Sequence, residues 1–438
     1  MSDLVPLSEK WRNPQDILPK DWCCNPLLSV TMKIADRDHT TPKYISKDEG
    51  VPIVSPTNLC EDMRLDLRKL KYISEEAHKK NKKKTDLQPS DIIFSRIGAG
   101  LGKSYLLTKN FYDFSILHSL CQIRVNEVLS PEYLLWFLRS DYLQWRLKFG
   151  IQSIGVPDLG LGEIGELPIF YPQSKEEQKK IATILTAVDN SIEKTQAQID
   201  KLKDLKTGMM QTLLTKGIGH TEFKDSPVGR IPVGWKVVKI CDLADVKGGK
   251  RLPKGSPFSE EKTPYPYIRI SDFSDGSIST ENIKFVRPED REKIKRYTIS
   301  KNDIYVSIAG IYLGLFGEVP NTLDGALLTE NAAKLIFKNL SHLNKTYFRY
   351  MCQSNLVQSQ LLQEKGIGAG VPKLALFRIS ETFIVLPPKS EQDSIAKILS
   401  ELDFSIFKKG AKLRSNERIK KALMQDLLTG KVRVKIDG

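Results

Sequence analysis

Two stretches of this chain repeat their apolar residues every three to four positions. In the first, Ile181, Val188, Leu202 and Met209 occupy one heptad position, and Leu185, Ile192, Ile199 and Leu213 the other. In the second, Ile395, Leu402 and Leu423 stand against Leu399, Ile406, Leu413 and Leu427. The spacing predicts two long helices whose stripes pack as a coiled-coil seam. Thr195, Lys206, Lys409, Asn416 and Lys420 interrupt that seam, where polar residues fix register at a cost in stability. Ser174 with Glu177 has capping-box spacing, and Ser390 with Asp393 approximates it. Gly217 and Gly430 follow the stripes, where a left-handed residue ends a helix. At about 1.5 Å per residue, each helix of about 39 residues would span roughly 58 Å.

The two stretches are copies. Glu177-Gln178 and Ile181-Ala182-Thr183-Ile184-Leu185 match Glu391-Gln392 and Ile395-Ala396-Lys397-Ile398-Leu399, about 214 residues on. The match continues without a gap to Leu213-Leu214-Thr215 and Leu427-Leu428-Thr429, with roughly 17 of about 39 positions identical. Upstream only a skeleton repeats. Trp22 answers to Trp235, and Pro52-Ile53-Val54 to Pro266-Tyr267-Ile268. Asp91-Ile92-Ile93-Phe94-Ser95 with Gly98 and Gly102 answers to Asp303-Ile304-Tyr305-Val306-Ser307 with Gly310 and Gly314. Val156-Pro157-Asp158-Leu159 answers to Val371-Pro372-Lys373-Leu374. Between these landmarks the copies share little, so one architecture carries two dissimilar surfaces.

Short β-rich runs ended by glycine (Asp91 to Ser95, Asp303 to Ile308) alternate with apolar residues at helical spacing (Tyr133 to Trp145, Tyr347 to Leu362), which predicts mixed α/β (α+β) units in two copies. The second helix can bury its stripe by packing back against the first. That predicts an antiparallel two-helix coiled coil separating the units, a pseudo-two-fold dumbbell.

Charge points to the partner. The 438 residues hold 67 Lys and Arg against 53 Asp and Glu, a net +14, and an excess of that size favours a polyanion such as nucleic acid. The densest basic run is Lys79, Lys80, Lys82, Lys83 and Lys84, a solvated stretch that would neutralise phosphates next to DNA. Lys247, Lys250, Arg251 and Lys254 form a glycine-rich basic loop that could approach a backbone closely. Arg96, Lys103 and Arg269 follow strand-like runs and could reach base edges.

The chemistry of an enzyme is missing. Gly98 to Ser104 has three residues between its first Gly and the Gly-Lys pair, where a phosphate-binding loop needs four, so it reads as a tight turn between strands. No amino-methyltransferase, zinc-protease or serine-hydrolase motif is present, and Asn25-Pro26-Leu27-Leu28 imitates the first poorly. Pro157-Asp158 lacks a nuclease partner, and His39, His78, His118, His220 and His342 show no ligand spacing, so no metal is expected. Six cysteines are scattered without C-x-x-C spacing, no apolar run is long enough to span a membrane, and Met1 to Asp16 lacks the apolar core of a signal peptide. These features fit a reduced cytoplasm.

Together, the Pro-rich leads into Glu-Gln-x-x-Ile-Ala-x-Ile-Leu (Pro172 to Leu185, Pro387 to Leu399), the Leu-Leu-Thr endings and the D-I-x-x-S-x-x-G skeletons resemble the specificity subunit of type I restriction-modification enzymes over essentially the whole chain. The resemblance implies residues 1–172 and 219–388 as target recognition domains, with 173–218 and 389–438 as helical spacer regions. It implies that each domain reads one half of a bipartite site in double-stranded DNA, while the helices set the spacing and dock two methyltransferase subunits. Those partners use S-adenosylmethionine to methylate adenine, and a motor-nuclease subunit using ATP and Mg joins for restriction. The chain itself would bind no cofactor. Two other classes remain, a two-domain DNA-processing enzyme such as a nuclease and a coiled-coil scaffold without a DNA role.

Overall fold

The computed structural model describes residues 18–37, 40–60, 64–150, 157–274, 276–310, 312–362 and 373–436, with the side chains of 149 and 150 left aside. Val156, Val371, Pro372, His39 and residues 1–16 lie outside the described residues. The chain forms two compact units, Met1–Gln196 with Ala411–Gly438 (unit 1) and Ala197–Gly410 (unit 2).

Unit 1 is built on a four-stranded antiparallel sheet, Thr31–Ala35, Leu120–Val125, Ile92–Ser95 and Ser104–Leu106 in that order. Beside it a three-stranded sheet places Val51–Val54 between Lys71–Ile73 (antiparallel) and Ser115–Ile116 (parallel). Its core takes Phe94, Ile123, Tyr133, Phe137 and Phe170. Unit 2 repeats the plan. Ala244–Gly248, Ala332–Phe337, Ile304–Ser307 and Phe316–Glu318 form the four-stranded sheet. Pro266–Ile268 pairs antiparallel with Lys284–Phe285 and parallel with Ala326–Leu328. Antiparallel pairing dominates, the α+β form of the class.

The D-I-x-x-S-x-x-G skeleton is a β-hairpin in both units, Phe94 opposite Ser104 and Val306 opposite Phe316. Gly102 and Gly314 take φ of +86° and +80°, a region that suits glycine. A glutamine staples each turn: Gln144 Nε2 donates to Gly102 O at 3.1 Å, and Gln358 Nε2 to Gly314 O at 2.9 Å.

Each expected helical stretch after the sheet is two helices, Pro131–Leu138 then Asp141–Gly150, and Lys345–Gln353 then Asn355–Leu362. Serine divides them. Ser140 Oγ accepts from Leu143 N at 3.3 Å, and Ser354 Oγ turns back to Met351 O at 2.6 Å. In unit 1, Lys33 and Arg124 bond Asp86 and hold its carboxyl down to about 2.

The long helices run Lys175–Leu213 and Lys389–Leu427, 39 residues each. Within unit 1 the start of the first packs antiparallel on the end of the second: Lys420 pairs with Asp189, and Asn416 Nδ2 donates to Ser191 Oγ at 3.1 Å. Within unit 2 Lys206 pairs with Asp403 at 2.6 Å, and Lys409 Nζ donates to Gln198 Oε1 at 2.7 Å. Of the polar residues in the stripe, Lys206, Lys409, Asn416 and Lys420 thus cross between helices, whereas buried Thr195 turns back to Ser191 O at 2.6 Å. Ile181, Leu185, Ile199, Leu213, Ile395, Leu399 and Leu427 are buried, and Val188, Ile192, Leu202, Met209, Leu402, Ile406, Leu413 and Leu423 are half-buried.

Ser174 accepts from Glu177 N at 3.2 Å, but Glu177 does not return the bond, because its carboxylate faces inward. Ser390 is already the second helical residue, so it caps nothing. Gly217 and Gly430 take φ of +70° and +71°, and a Cβ there would lie 2.6 Å from Trp235 and 2.9 Å from Trp22 respectively. Conformation and space both require glycine.

Candidate nucleic-acid interface

The repeated Glu-Gln pair supplies the frame. Gln178 is fully buried, its amide donating to Val128 O and Pro172 O and accepting from Ser130 N at 2.7 Å. Gln392 does the same with His342 O, Pro387 O and Asn344 N at 2.9 Å. The glutamates close each unit on a returning segment. Arg433 Nε and Nη2 both lie 2.7 Å from the Glu177 carboxylate, and the same guanidinium binds Asp21 and holds that carboxyl below its usual range. Glu391 accepts from Ile218 N at 2.9 Å and Trp235 Nε1 at 3.0 Å, with His220 Nε2 at 2.9 Å.

On this frame the lysine run begins in a helix and ends in the turn after it, at Lys83 and Lys84. Lys79, Lys80 and Lys82 end the helix Glu75–Lys82, which Ser74 caps by accepting from Ala77 N at 3.2 Å. Its inner face is polar. Asn81 Nδ2 donates to Ser115 Oγ at 3.1 Å, and His78 Nδ1 lies 3.0 Å from the same oxygen. That leaves Lys79, Lys80, Lys82, Lys83 and Lys84 exposed; Lys79 reaches Glu75 at 3.6 Å, and Lys82 pairs with Asp113. Ser115, His78 and Asp113 fall in the order of a hydrolytic triad, yet Ser115 is 3% exposed and His78 4%. The cluster braces the helix; it does not present a nucleophile.

Arg96 is a correction. It is 3% exposed, donating to His118 O at 3.0 Å and Leu159 O at 3.1 Å and pairing with Asp158 at 2.7 Å and Asp36 at 2.9 Å. A guanidinium enclosed by these acceptors holds the unit together and does not reach a base. Lys103 is half-buried and donates to Leu59 O at 3.2 Å.

In unit 2, Lys247, Lys250, Arg251 and Lys254 are exposed, and Arg251 pairs with Glu330 at 2.6 Å. The backbone that Gly249 of this loop approaches is the chain's own: a Cβ there would sit 2.1 Å from Thr329 O. Lys247 stands opposite Lys334 across two strands, and burial pushes the Lys334 ammonium down from its usual value. Arg269 is half-buried, pairing with Asp272 at 2.6 Å and donating to Asn282 O at 2.8 Å.

Among the described residues no group of three or more His, Cys, Asp or Glu is placed to hold a metal ion, and no helix is long and apolar enough to cross a membrane. The chain thus holds two copies of an α+β unit, each closed on paired helices, with exposed basic residues that differ between the copies.

The family model for the type I restriction modification DNA specificity domain matches residues 33–204 and again 232–413. The chain is 29% identical over 429 residues to the putative type I restriction enzyme MjaX specificity subunit of Methanocaldococcus jannaschii, covering 95% of each. It is also 29% identical over 350 residues to the MjaVIII specificity subunit of the same organism, covering 79% of this chain and 80% of that one. Among solved structures, the type I restriction-modification S subunit from M. genitalium superposes with a TM-score of 0.59 at 15% identity, covering 95% of this chain and 97% of that one. A chain from a structure on complex assembly and conformational transition of the type I R-M system gives 0.54 at 17% identity, covering 95% and 99%. The chain belongs to the type I restriction-modification specificity family. It is a specificity subunit with two recognition domains, not catalytic by itself.

Proposed function

We propose that each recognition unit reads one half of a bipartite site in double-stranded DNA, while the paired helices set the distance between the halves and dock two methyltransferase subunits. The observation that carries this reading is the duplication. Strand order and hairpins repeat between the units, whereas the side chains on their loops do not: Lys69 and Lys103 of unit 1 answer to Asn282 and Leu315 of unit 2. A shared scaffold with divergent loops suits two different sequences read by one architecture. The methyltransferase partners would bring S-adenosylmethionine, and motor-nuclease subunits ATP and Mg, in the cytoplasm. We place the recognition domains at 1–172 and 219–388 and the spacer regions at 173–218 and 389–438. The exposed Lys79, Lys80, Lys82, Lys83 and Lys84, with Lys247, Lys250, Arg251 and Lys254, would contact phosphates.

Replacing residues 1–170 with the equivalent unit of a relative tests the division of labour. One half of the methylated motif should change, and the other should stay. If both halves change together, or neither does, the units are not independent readers.

A further inference from the structure

The lysine helix of unit 1 has a counterpart in unit 2 that the sequence hides. Strand register places it. Ile53 pairs with Lys71 as Tyr267 pairs with Lys284, so Lys71–Ile73 and Lys284–Phe285 are the same edge strand. Buried Ile73 and Val286 follow in step, then Ser74 and Arg287, each the residue before a helix, Glu75–Lys82 and Pro288–Ile294. From there the copies run 213 residues apart without a gap. Asn81 and Ile294 are buried on the inner face, while Lys80 and Lys293, Lys82 and Lys295, and Lys83 and Arg296 are all exposed. Lys79 and Lys84 are not shared, since Glu292 and Tyr297 stand in their places. The acids Glu289, Asp290 and Glu292 interrupt the run in unit 2 and mask it.

These acids do not silence the cations. Lys295 pairs with Glu292 at 2.8 Å, both exposed, a weak surface pair that a phosphate can displace. Lys293 lies 3.3 Å from Asp290, which Arg287 already neutralises at 2.7 Å. Arg296 makes no ion pair among the described residues. The fold also lays the glycine-rich basic loop along this helix. Ser256 Oγ donates to Asp290 Oδ1 at 2.8 Å, and Leu252, Phe258 and Tyr297 pack on the small core around Ile294. Lys250 Nζ lies 5.9 Å from the centroid of the Tyr297 ring. The exposed Lys250 and Lys254 thus extend the cations at the helix end.

We propose that Lys293, Lys295 and Arg296 contact DNA phosphates, and that this helix end with the loop beside it is the equivalent in unit 2 of the lysine helix in unit 1. The shared positions point to the ligand. Two units that read different half-sites have the sugar-phosphate backbone in common, so the cations they share answer to it and not to bases. The inference rests on the DNA-reading role proposed above, and its test separates the two.

The experiment uses the full chain assembled with its methyltransferase subunits and a random-sequence duplex of about 40 bp, with the binding constant followed against salt. Lys293→Ala/Lys295→Ala/Arg296→Ala should flatten the log–log salt slope by about two to three, at about 0.9 per phosphate contact. The methylated motif should stay as it was, because phosphate contacts carry no sequence. Lys80→Ala/Lys82→Ala/Lys83→Ala in unit 1 should act alike. Lys293→Arg/Lys295→Arg/Arg296→Lys, which keeps the charges, should keep the parental slope. Lys224→Ala/Arg230→Ala/Lys236→Ala, at exposed positions elsewhere in unit 2, supplies the control for net charge. An unchanged slope in the folded alanine variants overturns the proposal, and so does an equal flattening by the control. A changed motif would mean base reading, and loss of the methyltransferase subunits a protein-facing surface; either overturns it too. Absence of DNA binding by the unaltered assembly would instead sink the DNA-reading role itself, and is seen without any variant.

Discussion

Deleting Thr195–Gln198 together with Lys409–Lys412 is expected to leave a folded protein that prefers the same half-sites with one or two fewer base pairs between them. Lys409 Nζ donates to Gln198 Oε1 at 2.7 Å, so the pair of cuts removes partner positions together. Four residues shorten each helix by roughly 6 Å, close to two base-pair steps of about 3.4 Å. They also remove about 400° of helical rotation, so residues beyond the cut keep their facing to within about 40°. The seam absorbs the missing turn by local overwinding. The polar pairs Lys420–Asp189 and Lys206–Asp403 lie outside the deleted segments and hold register. Binding scored on a ladder of spacer lengths reads the result. A folded variant whose optimum stays at the parental spacing means that the helices do not set the distance.

A second large effect is expected at Arg433. Glu177 is 1% exposed, and the guanidinium is its charged partner at 2.7 Å. Arg433→Ala leaves that carboxylate buried without its cation. Losing one member of a buried pair costs about 3–5 kcal/mol, and the 41% exposure of the Arg433 side chain, which admits water, places this case near about 2–3 kcal/mol. Arg433→Met/Glu177→Met should recover most of the loss, since the buried charge and its cation leave together and Asp21, which also loses Arg433, is exposed to water. Denaturant unfolding of the three proteins gives the measurement. A single variant as stable as the parent, or a double variant worse than the single, means that the pair does not close unit 1.

The helices were legible because a heptad stripe is a local signal that each residue carries for itself. Their packing was readable because a second stripe of the same kind can bury itself against the first. The hairpins were legible too, since the spacing of Gly98 and Gly102 after Ser95 marks a turn regardless of its surroundings. What escaped depends on distant partners. Arg96 follows a strand as a base-reading arginine might, but the acids that enclose it, Asp36 and Asp158, are 60 and 62 residues away. The Glu-Gln repeat stood out, yet its purpose needs Arg433, 256 residues beyond Glu177. The lysine run carried a readable clue, Ser74 with two glutamates after it, a helix start that the density of lysines obscured.

The central claim is that this chain supplies sequence specificity and leaves the chemistry to its partners. Reconstitution with long-read methylation sequencing tests it most directly: the purified chain alone, the cognate methyltransferase alone, and the two together, each given S-adenosylmethionine and genomic DNA. The account predicts adenine methylation at a two-part motif only when both are present. Methyl transfer by the chain alone, or the same motif methylated without it, would contradict the account.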